Sequence, residues 1–149
     1  APSPAAQATY NNGNFNAIVL DFAQTTSEAA TFQIAMPKSW DKGEILFAPY
    51  WTAGSGSGTV NFNFFSVALS DNDPLNGTFT TAIGAVDTFQ NADRLHIGPI
   101  TGLTPDASPA NDDLLLFAVN RFPPNDTLNA DARLIGVKIL YTINAGNDS

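Results

Sequence analysis

An alternation of apolar with other residues, at a period of two, is the feature that most restricts the fold of this chain. It occurs in "TFQIAM" (31–36), in "EILFAPYW" (44–51) and in "VKILYTI" (137–143). Because successive side chains of a strand point to opposite faces of the sheet, each stretch predicts a half-buried β-strand.

Further strands are predicted at "AIVLDF" (17–22), "RLHIGPI" (94–100) and "LLLFAVNR" (114–121). Runs of Gly, Pro, Asn and Asp separate them, as turns require. About eight such strands indicate an all-β fold, an antiparallel jelly-roll β-sandwich. The residues predicted to form its core are Phe32, Ile34, Phe47, Phe62, Val119, Val137 and Ile139.

Two stretches depart from the simple pattern. In "TVNFNFFSVALS" (59–70) the apolar phase changes at Phe64 and Phe65, which predicts a bent strand with a β-bulge or a crossing between sheets. In residues 80–90 a spacing of three between apolar residues predicts one short helix.

The first fifteen residues are rich in Ala, Pro, Asn and Gln, with two isolated rings, Tyr10 and Phe15. This composition predicts a flexible N-terminal arm over 1–15, followed by a single sandwich domain over 16–149. Two interpretations of the arm remain open: a frayed end, or a segment that docks on a neighbouring subunit through Tyr10 and Phe15.

Charge and composition exclude several classes of partner. The net charge is −8, and the six basic residues are scattered along the 149-residue chain. Binding of nucleic acid or of an anionic membrane surface needs clustered Lys and Arg, so neither is expected. The chain has no cysteine and no apolar run of membrane-spanning length, and neither a cofactor nor a metal is expected.

The residues that carry most enzyme chemistry are sparse. His96 is the one histidine and is expected to be a strand residue with local hydrogen bonds. Asp71 and Asp73 lack the spacing of a calcium loop and favour a plain turn. A glycosidase needs two carboxylates at a set separation, and the acids near predicted strand ends are Asp112, Asp113, Asp126 and Asp131. The chain is therefore expected not to be an enzyme.

Trp40, Tyr50 and Trp51 concentrate aromatic surface near one predicted connection, "PKSWDKGE". The favoured interpretation has both indoles capping the open end of the sandwich, with their N–H groups on backbone carbonyls. The alternative is an exposed aromatic surface that stacks on sugar rings or contacts a subunit.

Several framework motifs resemble those of small β-sandwich proteins from the virions of tailed bacteriophages. They are Pro37-x-x-Trp40-Asp41, Pro49-Tyr50-Trp51, and the stretch from Arg121 through Asp126-Thr127-Leu128 to Val137. The similarity spans residues 30 to 143. Members are capsid decoration (cement) proteins or head-fibre pieces, and the decoration type is usually a jelly-roll trimer.

The resemblance implies a decoration protein on the outer surface of a capsid. Its partners would be the major capsid protein and two further copies of itself in a homotrimer, and it would stabilise the head by bridging capsid subunits. The alternative from the same resemblance is a receptor- or carbohydrate-binding module of a head or tail fibre.

Overall fold

A computed structural model describes residues 3–144, which form eleven strands and one short 3-10 turn, Pro123–Asn125. The strands are β1 (Ser3–Pro4), β2 (Ala6–Asn12), β3 (Phe15–Phe22), β4 (Glu28–Ala35), β5 (Trp40–Thr52), β6 (Thr59–Leu69), β7 (Ala82–Thr88), β8 (His96–Ile97), β9 (Thr101–Leu103), β10 (Leu114–Arg121) and β11 (Ala132–Ile143). Among these residues no helix is long and apolar enough to cross a membrane.

The strands form two facing sheets. One has the order β1-β4-β10-β6-β7, and the other has the order β2-β3-β11-β5-β8, with β9 also on β5. Apart from β1 and β2, the two sheets read β4-β10-β6-β7 and β3-β11-β5-β8/β9, which is the double Greek key of a jelly roll. The predicted jelly-roll β-sandwich is confirmed.

Aromatic rings fill the space between the sheets. Phe47 of β5 stacks on Phe64 of β6 with centroids 4.9 Å apart, and Phe117 of β10 meets Phe47 edge-on at 5.7 Å. Trp51 and Phe62 make a similar edge contact at 6.3 Å. All of these rings are almost fully buried, so they supply much of the apolar burial that stabilises the sandwich.

Four of the seven residues predicted to be core are only partly buried. Phe47, Phe62 and Val119 are enclosed, whereas Phe32, Ile34, Val137 and Ile139 pack on the core but keep partial exposure. The reason is that β3 pairs with β11 only over three positions, Ala132 to Leu134. The sandwich is therefore open along this side.

The predicted irregularity in β6 is wrong. β6 pairs with β10 from Phe62 to Leu69 without a register shift, and Ser66 and Ala68 continue the buried phase. The second set of apolar residues faces outward, where other segments cover it: Phe79 packs on Phe65 at 5.7 Å. Both faces of this strand are covered, and so its sequence lost the simple alternation.

The short helix predicted within 80–90 is also wrong, because these residues contain strand β7. Ile83, Ala85 and Asp87 lie opposite the buried residues of β6. Asp87 occupies an inward position of the alternation that an apolar residue would normally fill, and for this reason the period of two was not recognised. The carboxylate is tolerated because the indole Nε1 of Trp51 donates a hydrogen bond to Asp87 at 2.8 Å.

The N-terminal segment differs from the predicted arm. Ser3–Pro4 pair in parallel with β4, and Ala6–Asn12 pair with β3 along their whole length. The polar composition misled because backbone hydrogen bonds to β3, rather than a packed apolar face, give this strand its partners. The strand predicted at 94–100 is shorter than expected, since Gly98 and Pro99 separate β8 from β9.

Candidate functional site

The outer face of the six-stranded sheet carries a groove of about 540 Å³, referred to below as the groove. It crosses the sheet from β2 to β5 and is closed on one side by the segment that follows β7. Its lining combines rings with hydrogen-bonding groups: Tyr10, Asn12, Phe15, Tyr50, Thr52, Asp93, Arg94, Leu95 and Ile135.

Three aromatic rings stand in the groove. Tyr10 and Phe15, on the two strands of the β2–β3 hairpin, meet edge-to-face with centroids 5.9 Å apart. Tyr50 approaches from β5 and is half-buried, while 43% of Phe15 is exposed. Such rings offer flat apolar surface at the mouth of a site.

Tyr10 is held in place by two contacts. Its hydroxyl donates a hydrogen bond of 2.8 Å to Asp93 Oδ1, and the Arg133 guanidinium lies 5.3 Å from its ring centroid. Asp93 is itself fixed, because its backbone N–H donates to the carbonyl of Ala53 at 2.9 Å. The ring is therefore oriented before any ligand arrives, which lowers the entropy cost of binding.

A polar extension of about 430 Å³ continues the groove across β2, β3 and β11. Register places Asp21, Arg133 and Thr52 in one row on neighbouring strands. Arg133 Nε lies 3.3 Å from Asp21 Oδ1, with both side chains partly exposed. Burial raises the pKa of Asp21, while Arg133 opposes the shift and Asp131 adds to it.

Two polar atoms beneath this surface have no hydrogen-bond partner within the described protein. They are Thr52 Oγ1 and Asp21 Oδ1, the latter being close to Arg133 but outside hydrogen-bond geometry. Thr52 is only 2% exposed. A buried hydroxyl without a partner costs free energy, and because both atoms are closed to solvent they lie beneath the floor of the groove rather than at its surface.

Trp40 and Trp51 do not form the exposed aromatic surface considered from the sequence. They are 3% and 0% exposed, respectively, and only Tyr50 of that trio reaches the surface. The expectation of backbone carbonyl partners is also wrong. Trp51 donates to the carboxylate of Asp87, and the Nε1 of Trp40 has no partner in the described residues.

The histidine has the structural role expected of it. His96 stacks on Trp51 at 4.5 Å, its Nε2 accepts the N–H of Gln90, and its Nδ1 lies 2.9 Å from the Arg94 carbonyl oxygen. This pattern assigns the proton to Nδ1. The ring thereby anchors the segment that carries Asp93, Arg94 and Leu95 into the groove.

Among the acids considered for hydrolysis, Asp113 and Asp131 accept structural hydrogen bonds. Asp113 accepts hydrogen bonds from Ser70 Oγ and from the Ala110 N–H, both at 2.7 Å. Asp131 accepts the N–H of Gln24, while Asp112 is an exposed residue with φ of 65°. Asp73 accepts the N–H of Ser70 at 2.8 Å, as a turn residue does.

Asp126, the fourth of these acids, forms a buried ion pair with Arg121. The guanidinium donates to both carboxylate oxygens, at 2.9 and 3.1 Å, and to the carbonyls of Phe22, Leu128 and Ala130. All five N–H donors of Arg121 thus have acceptors. The motif from Arg121 to Leu128 is a structural tie between strands. Within residues 3–144 no cluster of three or more potential metal ligands is present.

Sequence reasoning named Tyr10, Phe15 and Tyr50 as contact residues, and the structure brings these three together in one groove. It missed the polar partners Asn12, Thr52, Asp93, Arg94 and Arg133. These residues come from separate strands and a loop, so no local spacing connects them. The one available signal was a strand whose outward residues are partly polar, as in β11, because such residues can line a surface site.

No protein-family model matches the sequence, and no curated protein matches it. Among solved structures, the chain is similar to a non-crystalline cellulose specific carbohydrate-binding module, CBM28. The TM-score is 0.48 and the identity 12%, over 90% of this chain and 79% of that chain.

Proposed function

We propose that this protein is a non-catalytic carbohydrate-binding module whose groove binds a neutral sugar chain. The observation that carries the proposal is the groove on the outer face of the six-stranded sheet. It combines three ring faces, Tyr10, Phe15 and Tyr50, with the exposed polar side chains of Asn12, Asp93 and Arg94.

The chemistry of a sugar ring matches this combination. A pyranose has C–H faces that pack on aromatic rings and a rim of hydroxyls that donate and accept hydrogen bonds. Sites of this kind are mainly apolar with a few fixed polar groups. Here Tyr10 and Phe15 supply the apolar faces, and Asn12 and Arg94 supply groups for the hydroxyls.

Charge favours a neutral glycan over an acidic one. The chain carries −8, and the groove and its extension contain Asp21 and Asp93 beside Arg94 and Arg133. The charges within the groove balance, so the negative net charge of the whole protein determines the electrostatic preference. This negative charge repels polyanions. Uronic-acid polymers are therefore expected to bind more weakly than uncharged ones.

Capsid decoration is the second candidate, and it rests on the resemblance to virion proteins. The observation that favours it is the exposed Phe15 on the β2–β3 hairpin, which suits a contact with another protein as well as with a sugar. A fibre placement would unite both ideas, since a virion module that binds sugar attaches the particle to a glycan-coated surface. Electron microscopy of labelled particles tests the location.

The binding proposal is tested by affinity electrophoresis in gels that contain soluble β-glucans, mannan, xylan or polygalacturonate. We expect retardation by at least one neutral polymer and none by polygalacturonate. Phe15→Ala should abolish the retardation, whereas Phe122→Ala should not. Phe122 is a matched control because it is 40% exposed, against 43% for Phe15, and lies outside the groove. Mobility unchanged by every polymer would contradict the proposal.

A further inference from the structure

One side of the sandwich is open. We call this surface the flank and define it by β4 from residue 30 to 35, β11 from 136 to 143, and the inward residues Ile18 and Leu20 of β3. Within the described residues, β4 pairs with β1 only at Glu28 and Ala29, and β11 pairs with β3 only up to Leu134. Both strands therefore present unpaired backbone groups along one side.

A β-bulge explains why the sheet opens here. The pairing of β11 with β5 shifts register between Leu134 and Gly136, so Ile135 is an extra residue. A bulge bends its strand and increases the local twist. β3 follows the straight part of β11 and then diverges with β2, leaving a cleft of about 280 Å³ between Ile18, Phe32 and Val137.

The flank exposes apolar side chains that belong to the inner faces of the sheets. Ile18 is 64% exposed, Ile143 57% and Tyr141 42%. Phe32, Ile34, Val137 and Ile139 are half-buried behind them. Natural proteins usually cover or charge their exposed strand edges. Partly exposed interior side chains beside two unpaired edges are therefore unusual and mark a surface where another chain can bind.

The charge distribution favours a second copy of this chain as the occupant. None of the fourteen acidic residues lies in 15–20, 30–35 or 136–143, and Lys138 is the one charge there. Two copies of a chain with charge −8 repel each other, and an approach through an acid-free surface minimises that repulsion. Free edges of the same strands also complement one another, as homo-oligomer contacts require.

We infer that the flank is covered by a second copy of this chain, which adds its own flank to the unpaired edges of β4 and β11. The free segment of β11 is about 26 Å long at roughly 3.3 Å per residue. The contact therefore combines backbone hydrogen bonds with apolar burial. Tyr10 and Phe15 point to the opposite face of the hairpin from Ile18, so the groove and the flank lie on different faces, which adjoin at Ile135, and this inference does not rest on sugar binding.

Sedimentation equilibrium of the 15.7 kDa chain between about 1 and 100 μM tests the inference. We expect a mass of two or more copies at the upper concentrations. Ile18→Glu and Ile143→Glu should each raise the dissociation constant at least tenfold. Both positions are exposed, so neither variant is expected to unfold. Leu75→Glu is the control, because Leu75 is 81% exposed in the segment after β6 and lies outside the residues that define the flank.

Hydrogen exchange supplies a second readout that a nonspecific association would not change. Amides in 30–35 and 136–143 should exchange more slowly at 100 μM than at 1 μM, and Ile18→Glu should remove that difference. A monomer at every concentration, or an oligomer unaffected by both Glu substitutions, overturns the inference. If neutral polymers retard the Glu variants as strongly as the wild type, association through the flank does not affect sugar binding in the groove.

Discussion

Residues 3–144 contain two Arg–Asp pairs, which differ in burial and in the number of hydrogen bonds they make. Arg121 and Asp126 lie in the interior, with side chains 0% and 1% exposed, and every donor of the guanidinium has an acceptor. Arg133 and Asp21 lie on the groove surface, 33% and 26% exposed, with one contact of 3.3 Å. The first pair fixes the fold, whereas the second leaves hydrogen-bonding capacity for a ligand.

The largest effect is expected at the interior pair. Asp126→Ala leaves the Arg121 charge buried without its carboxylate, and breaking a buried pair in this way typically costs about 3–5 kcal/mol of unfolding free energy. Urea denaturation measures it. A loss of unfolding free energy below about 1 kcal/mol would show that the buried pair stabilises the fold no more than an exposed pair does.

Arg133→Met should have the opposite profile. An exposed ion pair contributes about 0–1 kcal/mol, and Met keeps the apolar stem near the ring of Tyr10, so the unfolding free energy should change by less than about 1 kcal/mol. Binding to the neutral polymer that retards the wild type should weaken. Strong destabilisation without a change in binding would assign Arg133 to the fold instead.

The pH dependence of stability sharpens the contrast between paired and unpaired carboxylates. Burial raises the pKa of Asp21 above 3.8, so its contribution to stability is present below that value and is lost as pH rises through its folded pKa. Asp106 is the opposite case. Burial opposes the change, but hydrogen bonds from Thr80 and Thr81 lower its pKa, so its contribution is lost as pH falls through the folded pKa.

Between neutral pH and about pH 3, the stability of the wild type relative to Asp21→Asn should therefore rise as pH falls. The stability relative to Asp106→Asn should fall over the same range. Thermal unfolding of the three proteins across this range measures both trends. Parallel trends for the two variants would contradict the assignment of Asp21 as an underpaired carboxylate.

The smallest effect is expected for Tyr10→Phe. It removes the hydrogen bond to Asp93 but keeps the ring, and because this bond is exposed to solvent it should contribute about 0.5 kcal/mol, the lower end of the usual range. Most of this should appear as weaker sugar binding, because the ring loses its fixed orientation while the β2–β3 ladder is retained. Equal sugar affinity of the wild type and Tyr10→Phe would show that Asp93 does not position the ring.

Sequence periodicity predicted the sandwich because β5 and β11 each have one buried face. It failed at β6 and β7, where an outward face is covered or a carboxylate occupies the buried phase. The aromatic-rich stretch around Trp40 and Trp51 proved to be interior. The groove rings Tyr10 and Phe15 lie in a polar stretch of the sequence. Their polar partners are brought beside them only by strand pairing across β2, β3, β11 and β5, and no local sequence pattern contains that pairing.

We expect the groove, rather than the tryptophan region, to bind sugar. A titration of the ¹⁵N-labelled protein with soluble oligosaccharides of the neutral polymer that retards it tests this most directly. Amide shifts are expected at 10–15, 50–52, 93–95 and 133–135, with the flank strands β4 and β11 beyond residue 136 unchanged. Shifts confined to the flank or to the 70–81 segment, with the groove amides unmoved, would contradict it.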